Sequence, residues 1–188
     1  MRASPLLLFP IALSLAVPAA AAEVVPVSLF SSVQLRGGGT VVVRPGPVQR
    51  VTIVNGSAQF TRVRVERGRQ LTIDACNTRC PHNYDLRIEI VTPEAPDVAI
   101  QGGGEISAAP GFGAERELGM AISGGGVIDM RSVRASDISA AINGGGKILA
   151  GPSATLSAAV NGGGEIRYAG DPIVSTAIQG GGSVRRGD

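Results

Sequence analysis

The sequence predicts an all-β solenoid, a chain wound into stacked parallel rungs, and three observations predict it. A triple-glycine cassette occurs six times between apolar β-formers: VQLRGGGTV at 33–41, VAIQGGGEI at 98–106, MAISGGGVI at 120–128, AAINGGGKI at 140–148, AAVNGGGEI at 158–166 and TAIQGGGSV at 176–184. From the second cassette onward the first glycines are spaced by 22, 20, 18 and 18 residues. A repeat of about twenty residues with one strand-turn-strand pattern is how solenoids show themselves in sequence. Finally, the chain has no tryptophan and only 3% aromatic residues. Globular cores lean on large rings, whereas Val, Ile, Leu, Ala and Gly suit a narrow core of thin layers.

In chain order, residues 1–22 read as a signal peptide. Arg2 gives a short positive end, Leu6 to Val17 an apolar run, and Ala20, Ala21 and Ala22 a small-residue cleavage site. Pro10 and Pro18 interrupt the run, so a membrane anchor of about 20 apolar residues is not expected. Residues 23–188 then form one β domain, with a strand-rich part at 29–97 and the repeats at 98–188.

The strand-rich part alternates polar and apolar residues at Arg62–Val65 and Leu86–Ile90, the period of half-buried strands. Thr40–Val43 and Val51–Val54 are β-branched runs. Pro45 and Pro47 end one strand, because proline cannot donate to a ladder. Asn55-Gly56 and Arg67-Gly68 read as tight turns.

In the repeats, two apolar columns result if each unit is one rung. Ile100, Ile122, Ile142, Val160 and Ile178 precede the glycines, and Ile106, Ile128, Ile148, Ile166 and Val184 follow them. Stacked about 4.8 Å apart, they would wall a continuous core. Each such side chain, once buried, contributes about 1.5–3 kcal/mol. The same stacking places Lys147 beside Glu165, and aligns a polar column of Gln101, Ser123, Asn143, Asn161 and Gln179, which either hydrogen-bonds as an amide ladder or faces water.

The glycines are expected to be structural turns. They are Gly37, Gly38 and Gly39; Gly102, Gly103 and Gly104; Gly124, Gly125 and Gly126; Gly144, Gly145 and Gly146; Gly162, Gly163 and Gly164; and Gly180, Gly181 and Gly182. A sharp corner on every rung demands left-handed backbone or close backbone approach, which glycine alone supplies without a Cβ penalty. A phosphate-binding loop would need a helix after the glycines and a Lys-Ser/Thr pair. β-Branched and apolar residues follow instead.

Catalytic chemistry finds little support. Cys76 and Cys80, past an export signal, are expected to form one disulfide. Taken with His82 they would make an incomplete metal set with the wrong spacing, so no metal and no cofactor is expected. No G-x-S-x-G elbow occurs. Glu105 and Glu165 occupy equivalent cassette positions three rungs apart, about 14 Å at the rung spacing. Glycoside hydrolysis needs paired carboxylates about 5–9.5 Å apart.

Net charge is +2, but nine arginines face three acids between Arg36 and Arg87. Arg36, Arg44, Arg50, Arg62, Arg64, Arg67 and Arg69 are therefore the candidate surface for an anionic ligand. Expected partners are anionic envelope polysaccharide, lipid headgroups, another envelope protein or a second copy of the chain. Nucleic acid is not expected, since aromatic stacking platforms are scarce.

The strands VVVRPGPVQRVTIVNG, FTRVRVERGRQLTI and LRIEIVTPEAPDVAI, followed by repeated I-x-G-G-G-x-I cassettes, resemble the GIN domain of bacterial envelope proteins, the head domain of auto-transporter adhesins. The resemblance spans about Phe30 to Arg185. It implies a right-handed parallel β-helix, exported to the periplasm or cell surface, with no established enzymatic activity. That family's cassettes commonly read Gly-Ser-Gly, and the Cys76–Cys80 segment is a departure from its pattern. The expected function is a non-catalytic envelope or adhesion-type interaction module. The alternatives are a structural protein that self-associates through its open ends and a carbohydrate-active enzyme.

Overall fold

The computed structural model describes residues 22–66, 68–77 and 79–187. The expected signal peptide, Ala22 excepted, lies outside the described residues, as does Arg67. The described chain is all-β, with strands β1 (Glu23–Val25), β2 (Ser32–Gly37), β3 (Thr40–Pro45), β4 (Arg50–Asn55), β5 (Arg62–Glu66), β6 (Gln70–Asp74), β7 (Arg87–Thr92), β8 (Asp97–Gly102) and β9 (Glu105–Ala108) in the first part. The repeats supply β10 (Ala114–Gly124), β11 (Val127–Met130), β12 (Arg134–Gly144), β13 (Lys147–Ala150), β14 (Thr155–Gly162), β15 (Glu165–Tyr168), β16 (Ile173–Gln179) and β17 (Ser183–Arg186). Among the described residues no helix is long and apolar enough to cross a membrane.

The expected right-handed parallel β-helix is corrected by the strand pairing. The chain forms two mixed sheets, ordered β1-β4-β7-β3-β9-β11-β13-β15-β17 and β16-β14-β12-β10-β8-β2-β6-β5. Antiparallel pairs β1–β4, β4–β7 and β5–β6 stand beside the parallel ones. Nor do the early strands pair in chain order: β2 lies between β6 and β8, and β3 between β7 and β9. The cause is local. Gly68 and Arg69 take left-handed backbone (φ +85° and +62°), which reverses the chain into the β5–β6 hairpin. Asn55-Gly56, by contrast, closes no hairpin, because β4 and β5 lie in different sheets.

From β8 onward the chain alternates between the sheets, and neighbouring strands of each sheet run parallel in register. Ile100, Ile122, Ile142, Val160 and Ile178 are aligned across one sheet, and Ile106, Ile128, Ile148, Ile166 and Val184 across the other. Apart from the exposed Ile178 and the partly buried Val184 on the last strands, both columns bury into one core shared by the two sheets. The glycine corners stack as well: the N–H of Gly145 donates to Gly124 O (2.9 Å) and that of Gly125 to Gly102 O (2.9 Å). Gly103 N–H in turn donates to Gly37 O (3.2 Å), so the first cassette joins the column despite its distance in sequence. The intervening β4–β7 segment supplies the antiparallel pairing.

Candidate interaction surface

Side chains alternate across a strand, so the residues between the buried ones of β8, β10, β12, β14 and β16 form the outer face of the eight-stranded sheet. Three columns result. One carries Gly119, Ser139, Ser157 and Ser175; the next Ala99, Ala121, Ala141, Ala159 and Ala177; the third Gln101, Ser123, Asn143, Asn161 and Gln179. Over them lie two adjoining shallow depressions of about 750 and 540 Å³. Asp97 is the one ionisable residue lining them, and its Oδ1 already accepts from the Gly119 N–H (2.6 Å). The amide column faces water. This small-residue trough was legible only in part, because Ser and Ala carry no chemical signal until the strands are aligned.

The arginines singled out from sequence are spread over both sheets. Arg36 and Arg64 share Asp74, Arg36 at 3.9 Å. Arg64 also holds Glu66 at 2.8 Å, and hydrogen bonding to Asp74 raises its pKa. Arg44 Nε donates to Glu89 Oε2 at 2.8 Å across the nine-stranded sheet. Arg50, Arg62 and Arg69 have no carboxylate partner among the described residues; Arg50 opens β4, Arg62 opens β5 and Arg69 sits in the β5–β6 turn.

A tighter charged cluster lies on the outer face of the nine-stranded sheet. Glu165 meets Lys147 Nζ at 3.5 Å, the pair that stacking predicts, and also Arg167 Nε at 3.0 Å and Arg185 Nε at 2.7 Å. Hydrogen bonds from Arg167 and then Arg185 hold the Glu165 carboxyl down at a pKa of about 2. Arg131 beside it donates to Asp129 (2.9 Å), holding that carboxyl low as well. This triad of cations was not singled out from sequence, although 18 residues separate Lys147 from Glu165 and Arg167 from Arg185, the same interval as the last repeats.

Cys76 and Cys80 form the expected disulfide. His82 is exposed in the loop that follows. Beneath it, Tyr84 Oη lies 2.6 Å from Thr61 Oγ1 and accepts from the Ser57 N–H at 3.0 Å. Among the described residues no three His, Cys, Asp or Glu side chains gather as a metal-holding group. Glu105, Val127, Lys147 and Glu165 follow one another across adjacent strands, so the two glutamates stand three strands apart, about 14 Å. The surface thus carries a repeating trough of small and amide side chains on one sheet and a cationic cluster on the other.

The sequence profile of a family described as "Putative auto-transporter adhesin, head GIN domain" matches residues 70–172. Among solved structures, a putative adhesin from Bacteroides fragilis is 19% identical with a TM-score of 0.46, over 88% of this chain and 96% of that one. A putative lipid binding protein from Parabacteroides distasonis is 15% identical with a TM-score of 0.38, over 89% and 96%. A putative adhesin from the same species is 16% identical with a TM-score of 0.45, over 88% and 96%. No curated protein matches the chain.

Proposed function

The chain belongs to the GIN-domain family of auto-transporter adhesin heads, and from that premise we propose that it is an exported, non-catalytic contact module of the bacterial cell envelope, working at the periplasmic or outer surface. The observation that carries this reading is the trough on the eight-stranded sheet. Its serine, alanine and amide columns repeat about every 4.8 Å along five parallel strands. Such a face presents the same small groups again and again, which suits a long, regular partner and offers no acid–base pair for turnover. The proposed export rests on the leader-like pattern of residues 1–22.

The test is co-sedimentation of the purified protein with isolated cell envelopes. Ala141→Glu with Ala159→Glu puts two charges into the trough at exposed positions. The wild type should sediment with the envelopes, and the double variant should stay in solution with its melting temperature unchanged. If both sediment equally, the trough is not the contact face.

A second reading, self-association, has its own observation. Ile173 is 79% exposed and Ile178 44% exposed on β16, the edge strand of its sheet, and an unpaired edge with apolar side chains is a template for another strand. Sedimentation equilibrium at high protein concentration decides it: a monomer dismisses the idea.

A further inference from the structure

The structure points to a second contact site on the opposite face, and we propose that Lys147, Arg167 and Arg185 bind an acidic polysaccharide. The inference rests on the reading of the protein as an envelope contact module and adds a ligand chemistry and a place.

Arg167 and Arg185 are direct neighbours on parallel strands β15 and β17, and like charges set side by side repel unless an anion lies between them. Glu165 is that anion, but it is shared with Lys147. Three cations therefore hold one carboxylate, which leaves an excess of two positive charges. Glu165 offsets one of the three near neutrality, because its carboxyl is ionised far below that range. By contrast, Arg36, Arg44 and Arg64 each hold a carboxylate at the other end of the molecule, and Arg50, Arg62 and Arg69 lie apart from one another.

Next to the three cations is a hollow of about 280 Å³, with Leu149 and Tyr168 in its lining together with Arg131, Lys147 and Arg167. Leu149 and Tyr168 thus offer apolar and aromatic surface beside Lys147 and Arg167, with Arg185 adjoining Arg167 on the next strand, a combination that fits a sugar ring carrying an acidic group. The cationic side chains remain accessible, at 38% exposure for Lys147, 39% for Arg167 and 57% for Arg185. A membrane surface is the less suitable partner. The exposed large apolar residues, Val24, Leu29, Val48, Val54, Ile173 and Ile178, all lie off these strands, so nothing here would enter a bilayer.

Carboxylate and sulfate groups share the required chemistry, and two probes separate them: polygalacturonate and dextran sulfate, with neutral dextran as control. The wild type should bind at least one polyanion at low salt, lose it at high salt and ignore neutral dextran; the tighter polymer identifies the acid. Arg167→Gln with Arg185→Gln should raise Kd at least about tenfold, whereas Arg44→Gln with Arg62→Gln should leave it unchanged. Glu165→Gln removes the competing carboxylate and should tighten binding severalfold, which keeps the test decisive even if the double arginine variant melts early. Three results would overturn the proposal: no binding to either polyanion, equal binding by the Arg167/Arg185 variant, or binding only to vesicles of phosphatidylglycerol. If the trough variant loses envelopes while the arginine variant loses nothing, this inference fails and the contact-module reading stands.

Discussion

Gly146 packs so closely over Ile122 that a methyl group on it would come within 2.7 Å of the isoleucine Cγ2. The three glycines of one cassette thus answer to three different constraints. Gly144 has φ +133°, and a Cβ there would lie 2.4 Å from Gly124 O. A Cβ on Gly145 would meet nothing within 4 Å, and its N–H donates to Gly124 O.

Alanine at Gly145 should therefore be neutral, or stabilise by up to about 1 kcal/mol through the unfolded chain. Alanine at Gly144 or Gly146 should cost about 2 kcal/mol or more through overpacking and backbone strain. Thermal melting of the three single variants checks this, at roughly 2–4 °C per kcal/mol for a chain of this size. Equal losses at all three positions would refute the assignment.

The apolar column offers a comparison of one residue type in two settings. Ile142 is 2% exposed with a parallel strand on either side, while Ile178 is 44% exposed on the edge strand β16. Ile142→Ala should cost about 2–5 kcal/mol and Ile178→Ala about 1 kcal/mol or less. Urea unfolding of both variants measures the difference. Comparable losses would mean that the end of the column is covered in solution.

These contrasts show what the sequence could reveal. Periodicity made the columns of residues 98–186 legible, because the same residue types recur at a nearly fixed interval and a buried column tolerates little else. Between Pro45 and Leu86 no repeat constrains the reading. There Gly68 and Arg69 turn β5 back on β6, and β7 is shared by β3 in parallel and β4 in antiparallel pairing. Those partners are distant in sequence, so alternation identified strands but not their neighbours. Charge was misleading for a related reason: counting along the chain included Asp74 among the acids but could not place it between Arg36 and Arg64.

Tyr84 anchors the loop that carries the disulfide. Its hydroxyl lies within hydrogen-bond reach of Thr61 Oγ1 and Ser57 O, and its ring meets Phe60 edge-on at 5.6 Å. Thr61 is only 3% exposed. Tyr84→Phe keeps the ring contact and removes the hydroxyl, so it should cost about 1–3 kcal/mol. Chemical denaturation of the variant tests this, and an unchanged midpoint would show that the hydroxyl is dispensable.

The Cys76–Cys80 bridge closes a short loop. Chain entropy gives about 2 kcal/mol for a loop of this length. The double variant Cys76→Ser with Cys80→Ser should fold, with melting lowered by several degrees and the β signal in circular dichroism unchanged. Complete unfolding would mean that the bridge orders far more than its own loop.

Glu165 gives the clearest pH dependence. Its carboxyl titrates near 2 in the folded protein, below its ordinary 4.5, because Arg167 and then Arg185 hydrogen-bond its charged form. A depressed carboxylate pKa contributes stability that is fully present above the unfolded value and lost as pH falls through the folded one. The melting temperature of the wild type should therefore exceed that of Glu165→Gln most clearly above about pH 5, and the gap should close toward pH 2. Asp129 is lowered by Arg131 in both proteins, so its contribution cancels in the difference. Added salt should shrink the gap at neutral pH, because the pairing cations are well exposed. A gap that stayed constant from pH 7 to pH 2.5 would mean that the three cations do not hold Glu165 as a charged group.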